Sequence, residues 1–594
     1  MINKLKQHKL ILIIFIIGII LIVTGTTYSF YKIKLEGQKQ HIVSSDVISF
    51  TYKESEDKIS ITNMNPISDT QGKKNNYFEF KVLSKLKENM NIKYIVSLSK
   101  IDIENSFEDN DIKMYLTDGN DNELISPTII SLLEENNKIK DSKIIYANTF
   151  AYNEQEQTHT YRIRIWLKEN VDMSKYTKVV ETETGTNVSL EQKTYKFKIN
   201  VNTIENLDTS GANKPVLASN MIPVYYDETE EVWKKANKDN NDKTNPWYSY
   251  NKAGEYKGMW ANAVTVTSDK LEIYKNASVG TTISMDDIAT MWVWIPRFNA
   301  VTPSNYNGGT ADNPGAIDVT FVKQNETAID AFTFGNKELS GFWYGKFEVG
   351  HTTLASSGTN NTLGCTNETC SNANGIIIKP NVTSLRNNNP SNFFFASRSM
   401  EQPNNSFGFV NTEVDTHMSK NNEWGAVAYL THSIYGRCTS STTCTEVGIN
   451  SSGFITGYGA PAGSSSSVTN GAYNTDLGKD ASTTKNIYGI YDMSGGMAEY
   501  VMGVYSNTKG LSGFNSLPDE KYYNNYTESS YTYHALTETN GWYSDAAYFA
   551  SKSYPWFKRG GYYGESKGGG VFNFSAQDGG CHNLLSSRFV ITNE

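Results

Sequence analysis

Asn486–Tyr500 reads NIYGIYDMSGGMAEY, and its interleaved glycines, carboxylates and aromatics decide how the C-terminal two-thirds of the chain is read. Gly489, Gly495 and Gly496 permit backbone turns that a Cβ would forbid. Asp492 and Glu499 supply carboxylates that accept backbone N–H bonds or coordinate a hard cation. The aromatics between them lock a body otherwise rich in loops. Downstream lie RGGYYGE (Arg559–Glu565) and SSRF (Ser586–Phe589). Upstream lie EWGAVAYLTHS (Glu423–Ser433), a helix candidate, and the aromatic run FWYGKFEV (Phe342–Val349).

In this order the motifs resemble the formylglycine-generating enzyme superfamily. Asn486–Tyr500 is similar to its N-x-x-G-x-x-D-M-x-G-N-V-x-E-W signature, and the ending to its R-G-G-S-W…G-F-R. Glu423-Trp424 matches the E-W of its helix, and Phe342–Val349 its early strand. The resemblance implies a loop-rich α+β domain of C-type-lectin-like fold over residues 221–594. It implies framework roles for Asn486, Gly489, Asp492, Gly495, Glu499, Arg559, Gly560, Gly561 and Arg588. The chemistry does not carry over. Oxidase members hold copper with two Cys between R-G-G and G-F-R, and here that segment has only Cys581, followed by His582. One soft ligand does not make a two-thiolate Cu(I) site. The related iron-dependent sulfoxide synthases need three His, whereas His417 and His432 flank the helix candidate without a third nearby. Gly496 stands where the superfamily's calcium-binding Asn belongs. No catalytic residue and no cofactor are expected, with Ca2+ the only candidate ion.

The ending also resembles the variable proteins of diversity-generating retroelements, which concentrate variation just before the C-terminus. Adenine-directed mutagenesis of Asn-type codons yields Tyr, Ser, Asp, Gly, His, Cys or Leu, among others. YYGESKGGGVFNFSAQDGGCHNLL (Tyr562–Leu585) fits that palette at Tyr562, Tyr563, Ser566, Asn573, Ser575, Asp578, Cys581, His582, Asn583, Leu584 and Leu585. An ordinary polar loop has a similar composition. On the binding reading, Phe572 and Phe574 pack inward while Asn573 and Ser575 point out. Tyr, Ser, Asn and Asp there resemble antibody paratope usage. The expected ligand is an extracellular protein or glycan.

The rest of the 594-residue chain bounds these readings. Hydrophobic residues make up 38 % and charged residues 20 %, so packed globular units are expected. A net charge of −9 argues against a nucleic-acid-binding body, which needs a concentrated basic face. Residues 1–9 carry Lys4, Lys6 and Lys9 ahead of an apolar run, so 10–30 is read as a single-pass membrane anchor with the following domains outside the cell. Cys365 with Cys370 and Cys438 with Cys444 lie in Ser/Thr/Asn-rich loops, favouring two disulfides over zinc and an oxidising exterior. Residues 42–205 show period-two alternation in Phe78–Val82, Ile92–Leu98, Ile163–Leu167 and Tyr195–Val201, which predicts a β-sandwich. Residues 206–220 read as a linker. The anchor-plus-sandwich layout with TGTTYSFYK (Thr24–Lys32) resembles bacterial biofilm-matrix and spore-coat-associated proteins. The expected function is a bacterial surface receptor or adhesin. The alternatives are an oxidoreductase acting on a thiol through Cys581 and a matrix or coat subunit.

Overall fold

Period-two alternation builds the first unit, Met1–Asn206. In the computed structural model, Phe80, Val82, Tyr94, Val96, Leu98, Ile163, Ile165, Leu167, Tyr195, Phe197, Ile199 and Val201 all lie in one buried cluster. The structure describes residues 34–593 except 37–39, 45–47, 55–59, 63–64, 87–91, 102–105, 137–138, 140, 151–154, 183–184, 191–192, 205–206, 208, 243–244, 355–358 and 528–541. One antiparallel sheet runs Lys34–Glu36, Thr194–Ile204, Ile92–Ile101, Ser142–Phe150, with Ser60–Thr62 also on Thr194–Ile204. The other has six strands, from Gln40–Ser44 to Glu123–Ile129, around the central Gln157–Leu167. Because side chains alternate in face, each sheet contributes every second residue to the shared core.

The second unit, Leu207–Glu594, is built on two further sheets. The seven-stranded sheet runs Val232–Lys235, Ile222–Asp227, Asn262–Val266, Ile288–Pro296, β1 (Gly341–Gly345), then the C-terminal strand and Val414–Met418. Its central strands are buried on both faces, so their sequences are continuous aromatic runs. Trp294 stands opposite Trp343 in register with ring centroids 5.3 Å apart. Two helices, α1 (Pro390–Ser399) and α2 (Asn421–Thr431), flank β2 (Val414–Met418). The smaller sheet is centred on β3 (Ala498–Tyr505), which pairs with Asn524–Tyr526, with β4 (Trp556–Arg559) and with β6 (Leu585–Ser587). Outside β4 lies β5 (Phe574–Gln577). After β6 the chain passes through Arg588 and enters the larger sheet as β7 (Phe589–Asn593), between β1 and β2.

Three expectations are corrected. Among the described residues no helix is long and apolar enough to cross a membrane. The longest, α2, has 11 residues, about half of the ~20 a bilayer requires. The single-pass membrane placement is corrected to this extent: no described helix could serve as its span, and residues 1–30, to which the anchor was assigned, lie outside the described residues. The α+β fold class is also corrected, since the described chain is mostly β with a few short helices. Asn, Ser and Thr, abundant in the second unit, bond to nearby backbone and compete with helix; Asn405 and Asn486 both do so. Finally, the stretch read as a linker packs into the second unit. Ala212 and Ala218 are in its core, and the carbonyls of Asn213 and Val216 accept from the Trp294 and Trp343 indoles at 3.2 and 2.6 Å.

Candidate functional site

The signature residues form a frame at the crossing between the two sheets. Arg588 donates through Nη2 and Nε to Glu499 on β3 at 2.6 and 3.2 Å. It also donates to the carbonyls of Gly345 on β1 at 2.8 Å and Tyr491 at 2.9 Å. Asp492, held at φ 62°, accepts from Asn450 Nδ2 at 2.8 Å and Gly457 N–H at 2.9 Å. Glu348 accepts from Ser384 Oγ and, at 2.7 Å, from Met497 N–H. Burial pushes the Glu348, Asp492 and Glu499 carboxyls upward, and repulsion from Asp492 adds to it at Glu348 and Glu499. The Arg588 guanidinium opposes the rise at Asp492 and Glu499.

Glycine is required at the turn of this frame. Gly496 has φ 66°, and a Cβ there would lie 2.5 Å from Glu348 Oε1. Gly496 is thus packed directly on a buried carboxylate. Asn486 closes a local turn, accepting from Tyr488 N–H at 2.9 Å and donating to the Lys257 carbonyl at 3.0 Å. The Gly489 carbonyl accepts from buried Lys346 Nζ at 2.7 Å. Arg559 is fully buried over Trp424 and Phe574, and burial lowers its pKa to about 10. Its Nη1 donates to Asn421 Oδ1 at 3.3 Å. Gly495 N–H donates to the carbonyls of Gly560 and Gly569 at 3.1 and 3.0 Å, and Tyr563 N–H to that of Gly496 at 2.9 Å. Through these bonds the signature turn and Gly560 hold the base of the Tyr562–Leu585 segment, and Gly561 turns the chain into it at φ 62°.

That segment splits into frame and face. His582 and Asn583 are exposed; Tyr562, Tyr563, Ser566, Ser575, Asp578, Cys581 and Leu584 are half-buried. Asn573 and Leu585 are each 1 % exposed, so neither belongs to a binding surface. Asn573, expected to point outward, instead donates to the Gly568 carbonyl at 2.5 Å and pins the 562–569 turn from inside. Its position just before β5, outside the strand ladder, is why alternation misplaces it. Leu585 opens β6 and sits in the main core. Phe572 and Phe574 do pack inward.

The accessible residues connect to two side chains that motif reading missed. Tyr562 meets Tyr563 edge-on at 5.5 Å, and Tyr563 meets Phe454 edge-on at 5.5 Å. The Arg386 guanidinium sits 3.6 Å over Phe454 and donates through Nη1 to the Asn583 carbonyl at 3.0 Å. Asn387 N–H donates to the His582 carbonyl at 3.1 Å. His582 feels burial first, then Lys558, both lowering its pKa, while Asp578 raises it. Lys558 and Ser575 are cross-strand partners, and Lys558 lies 3.8 Å from Glu565. Arg386 and Phe454 stand in Asn- and Ser-rich loops with no periodic neighbours, so only the tertiary fold places them here.

Two other clusters bear on metals and thiols. Cys365–Cys370 and Cys438–Cys444 are disulfides. His432 has its ligand atom within 4.8 Å of both Cys438 and Cys444 sulfurs, which are engaged in their disulfide. Cys581 is the free thiol among the described residues. It donates to Asn361 Oδ1 at 3.1 Å, and burial raises its pKa. His417 lies between Asp415 Oδ1 at 3.1 Å and Glu423 Oε1 at 3.0 Å, so its two nitrogens serve an ion network. No protein-family model matches the chain, and no curated protein matches it.

Proposed function

We propose that this chain is a binding protein whose second unit presents the Tyr562–Asn583 surface to a macromolecular ligand, without catalysis. The observation that carries the reading is the division of labour within one segment. Tyr562, Tyr563, Ser575, Asp578, His582 and Asn583 stay accessible, while Gly496 at one end and Arg588 at the other clamp the backbone. Two partly exposed tyrosines on a rigid base offer large contact area at low entropy cost. The thiol of Cys581 supports a non-catalytic role, because a nucleophilic or redox cysteine needs a lowered pKa and burial raises this one. Arg588 supplies the cation beside the buried carboxylates of Glu499 and Asp492, while Glu348 at Gly496 is held by Ser384 and Met497 N–H.

The same division supports the likeness to diversified variable proteins: the palette residues that are accessible are exchangeable without touching the core. Asn573 and Leu585 leave that set. The reading is tested by screening the full chain on peptide and glycan arrays and repeating the binding with a Tyr562→Ala, Tyr563→Ala, Asn583→Ala variant. An array ligand should weaken about thirtyfold, the scale of a hot-spot loss of about 2 kcal/mol, with an unchanged unfolding curve. Equal binding by the variant removes the face from consideration. Adenine-biased substitutions confined to codons 562–584 within one clonal culture would show diversification; a uniform gene leaves a fixed binding face.

A further inference from the structure

The arginines of the described chain are almost all matched with acid groups. Arg162, Arg164, Arg297, Arg398, Arg437 and Arg588 each lie 3.4 Å or less from an Asp or Glu oxygen. Arg559 also lacks an acid partner and leaves Nε and Nη2 unpaired, but it is sealed in the core against Trp424, Phe574 and Asn421, out of a ligand's reach. Arg386 differs from both groups among the described residues: it is half-buried, without a carboxylate, and located on the candidate binding face.

Its geometry is directional. Nη1 is engaged by the Asn583 carbonyl, and the guanidinium plane is held over Phe454 at 3.6 Å, with Tyr563 beside that ring. The opposite edge, Nε and Nη2, makes no hydrogen bond, and Nε is buried without a partner. Those two N–H groups point in parallel and match the two oxygens of a carboxylate. A buried donor left unpaired is destabilising, and an incoming anion removes that deficit.

We propose that Arg386 is the anchoring residue of this face and that the ligand presents a carboxylate on an acidic peptide segment. The inference rests on the binding reading given above. The shielded Nε edge favours a carboxylate on a slender stem: an Asp or Glu side chain reaches it, whereas a uronate brings the width of its pyranose ring. Around it, Tyr562, Tyr563 and exposed His582 and Asn583 supply the contact area. Lys558 is offset by Glu565 at 3.8 Å and Lys567 stands out in solvent on the 566–568 turn, so Arg386 is the half-buried cation of the face without an acid partner.

The test is fluorescence anisotropy of a labelled short poly-glutamate peptide with the full chain, compared with poly-glutamine and with an oligogalacturonide. Poly-glutamate should bind saturably and poly-glutamine should not. Arg386→Gln should weaken poly-glutamate binding at least about tenfold, and Arg386→Lys should weaken it too, because a point charge cannot make two parallel bonds. Retention by Arg386→Lys of the wild-type near-ultraviolet circular dichroism establishes that the face is folded. Gln324→Ala, in a separate cleft of about 530 Å3 lined by Trp294, Glu338 and Asn593, should change nothing. Absence of saturable poly-glutamate binding, or equal binding by Arg386→Gln, overturns the proposal. Arg386-dependent binding of the oligogalacturonide alone overturns the peptide assignment. An array ligand lost with Tyr562→Ala, Tyr563→Ala yet kept by Arg386→Gln leaves the face standing and removes the anion anchor.

Discussion

Arg588 Nη2 lies 2.6 Å from Glu499 Oε1, with both side chains fully buried, and this pair joins the two sheets of the second unit. Glu499 belongs to β3 of the smaller sheet, and Arg588 also holds the Gly345 carbonyl of β1 in the larger one. Its charge is set against two buried carboxylates, those of Glu499 and Asp492. Removing the cation strands those groups in the interior.

Arg588→Leu is therefore expected to destabilise the second unit by about 3–5 kcal/mol, the scale of an uncompensated buried charge. The double variant Arg588→Met, Glu499→Met should recover much of that loss, since replacing both partners by apolar groups is far less damaging. Urea unfolding followed by tryptophan fluorescence reads both. Additive losses in the double variant would show that the pair is not coupled.

His417 predicts a pH dependence of opposite sign to that of its neighbour. Burial lowers the His417 pKa, but Glu423 and then Asp415 more than compensate, so the folded value is raised. Lys420, Lys521, Arg398 and Tyr522 complete the surroundings of the two carboxylates. A raised histidine pKa contributes stability that is present below its unfolded value of about 6.5 and is lost as pH rises through the folded value. For Asp415, burial raises the pKa, but His417, Arg398 and Lys521 bring it down to about 2. Its contribution is present above the unfolded value near 3.9 and disappears as pH falls towards 2. The unfolding midpoint should decline on the alkaline side, and His417→Gln should flatten that limb while lowering the plateau. An unchanged alkaline limb in His417→Gln would remove His417 as its cause.

The disulfide Cys438–Cys444 closes a short loop next to buried His432. Cys438→Ser, Cys444→Ser is expected to lower stability by about 2–3 kcal/mol, as loop-closure entropy gives for a loop of this size. Differential scanning calorimetry in non-reducing buffer checks it. A midpoint equal to that of the unaltered chain would mean the loop is held by packing alone.

Leu585 and Asn583, two residues apart, should separate frame from face. Leu585 is in the core, so Leu585→Ala is expected to cost about 2–5 kcal/mol. Asn583 is exposed, and Asn583→Ala should stay within about 0.5 kcal/mol while weakening ligand binding. Equal stability of the two variants would contradict the placement of β6.

The legible parts of this protein were those with a period or with punctuation. Phe80, Val82, Tyr94 and Val96 announce their face because strand side chains alternate. The helix candidate Glu423–Ser433 lies within two residues of the observed Asn421–Thr431. Asn573 was misplaced because it precedes β5 and obeys a turn, not a ladder. The stretch 206–220 looks like a linker in composition, yet its carbonyls are the acceptors that buried indoles need.

What the sequence determined by itself was local: strand periodicity in the first unit, the cysteine pairs, and the glycine and acid positions of Asn486–Tyr500. Those properties depend on residues within a few positions of one another, where φ preference and side-chain alternation act. Only the tertiary structure decided which charges meet. It alone brought Arg588 to Glu499 across 89 residues and Arg386 to Asn583 across 197. It also assigned Leu585 to the core and His582 to the surface. Burial and ion pairing are properties of neighbours in space, and loops of that length carry no local signal of who those neighbours are.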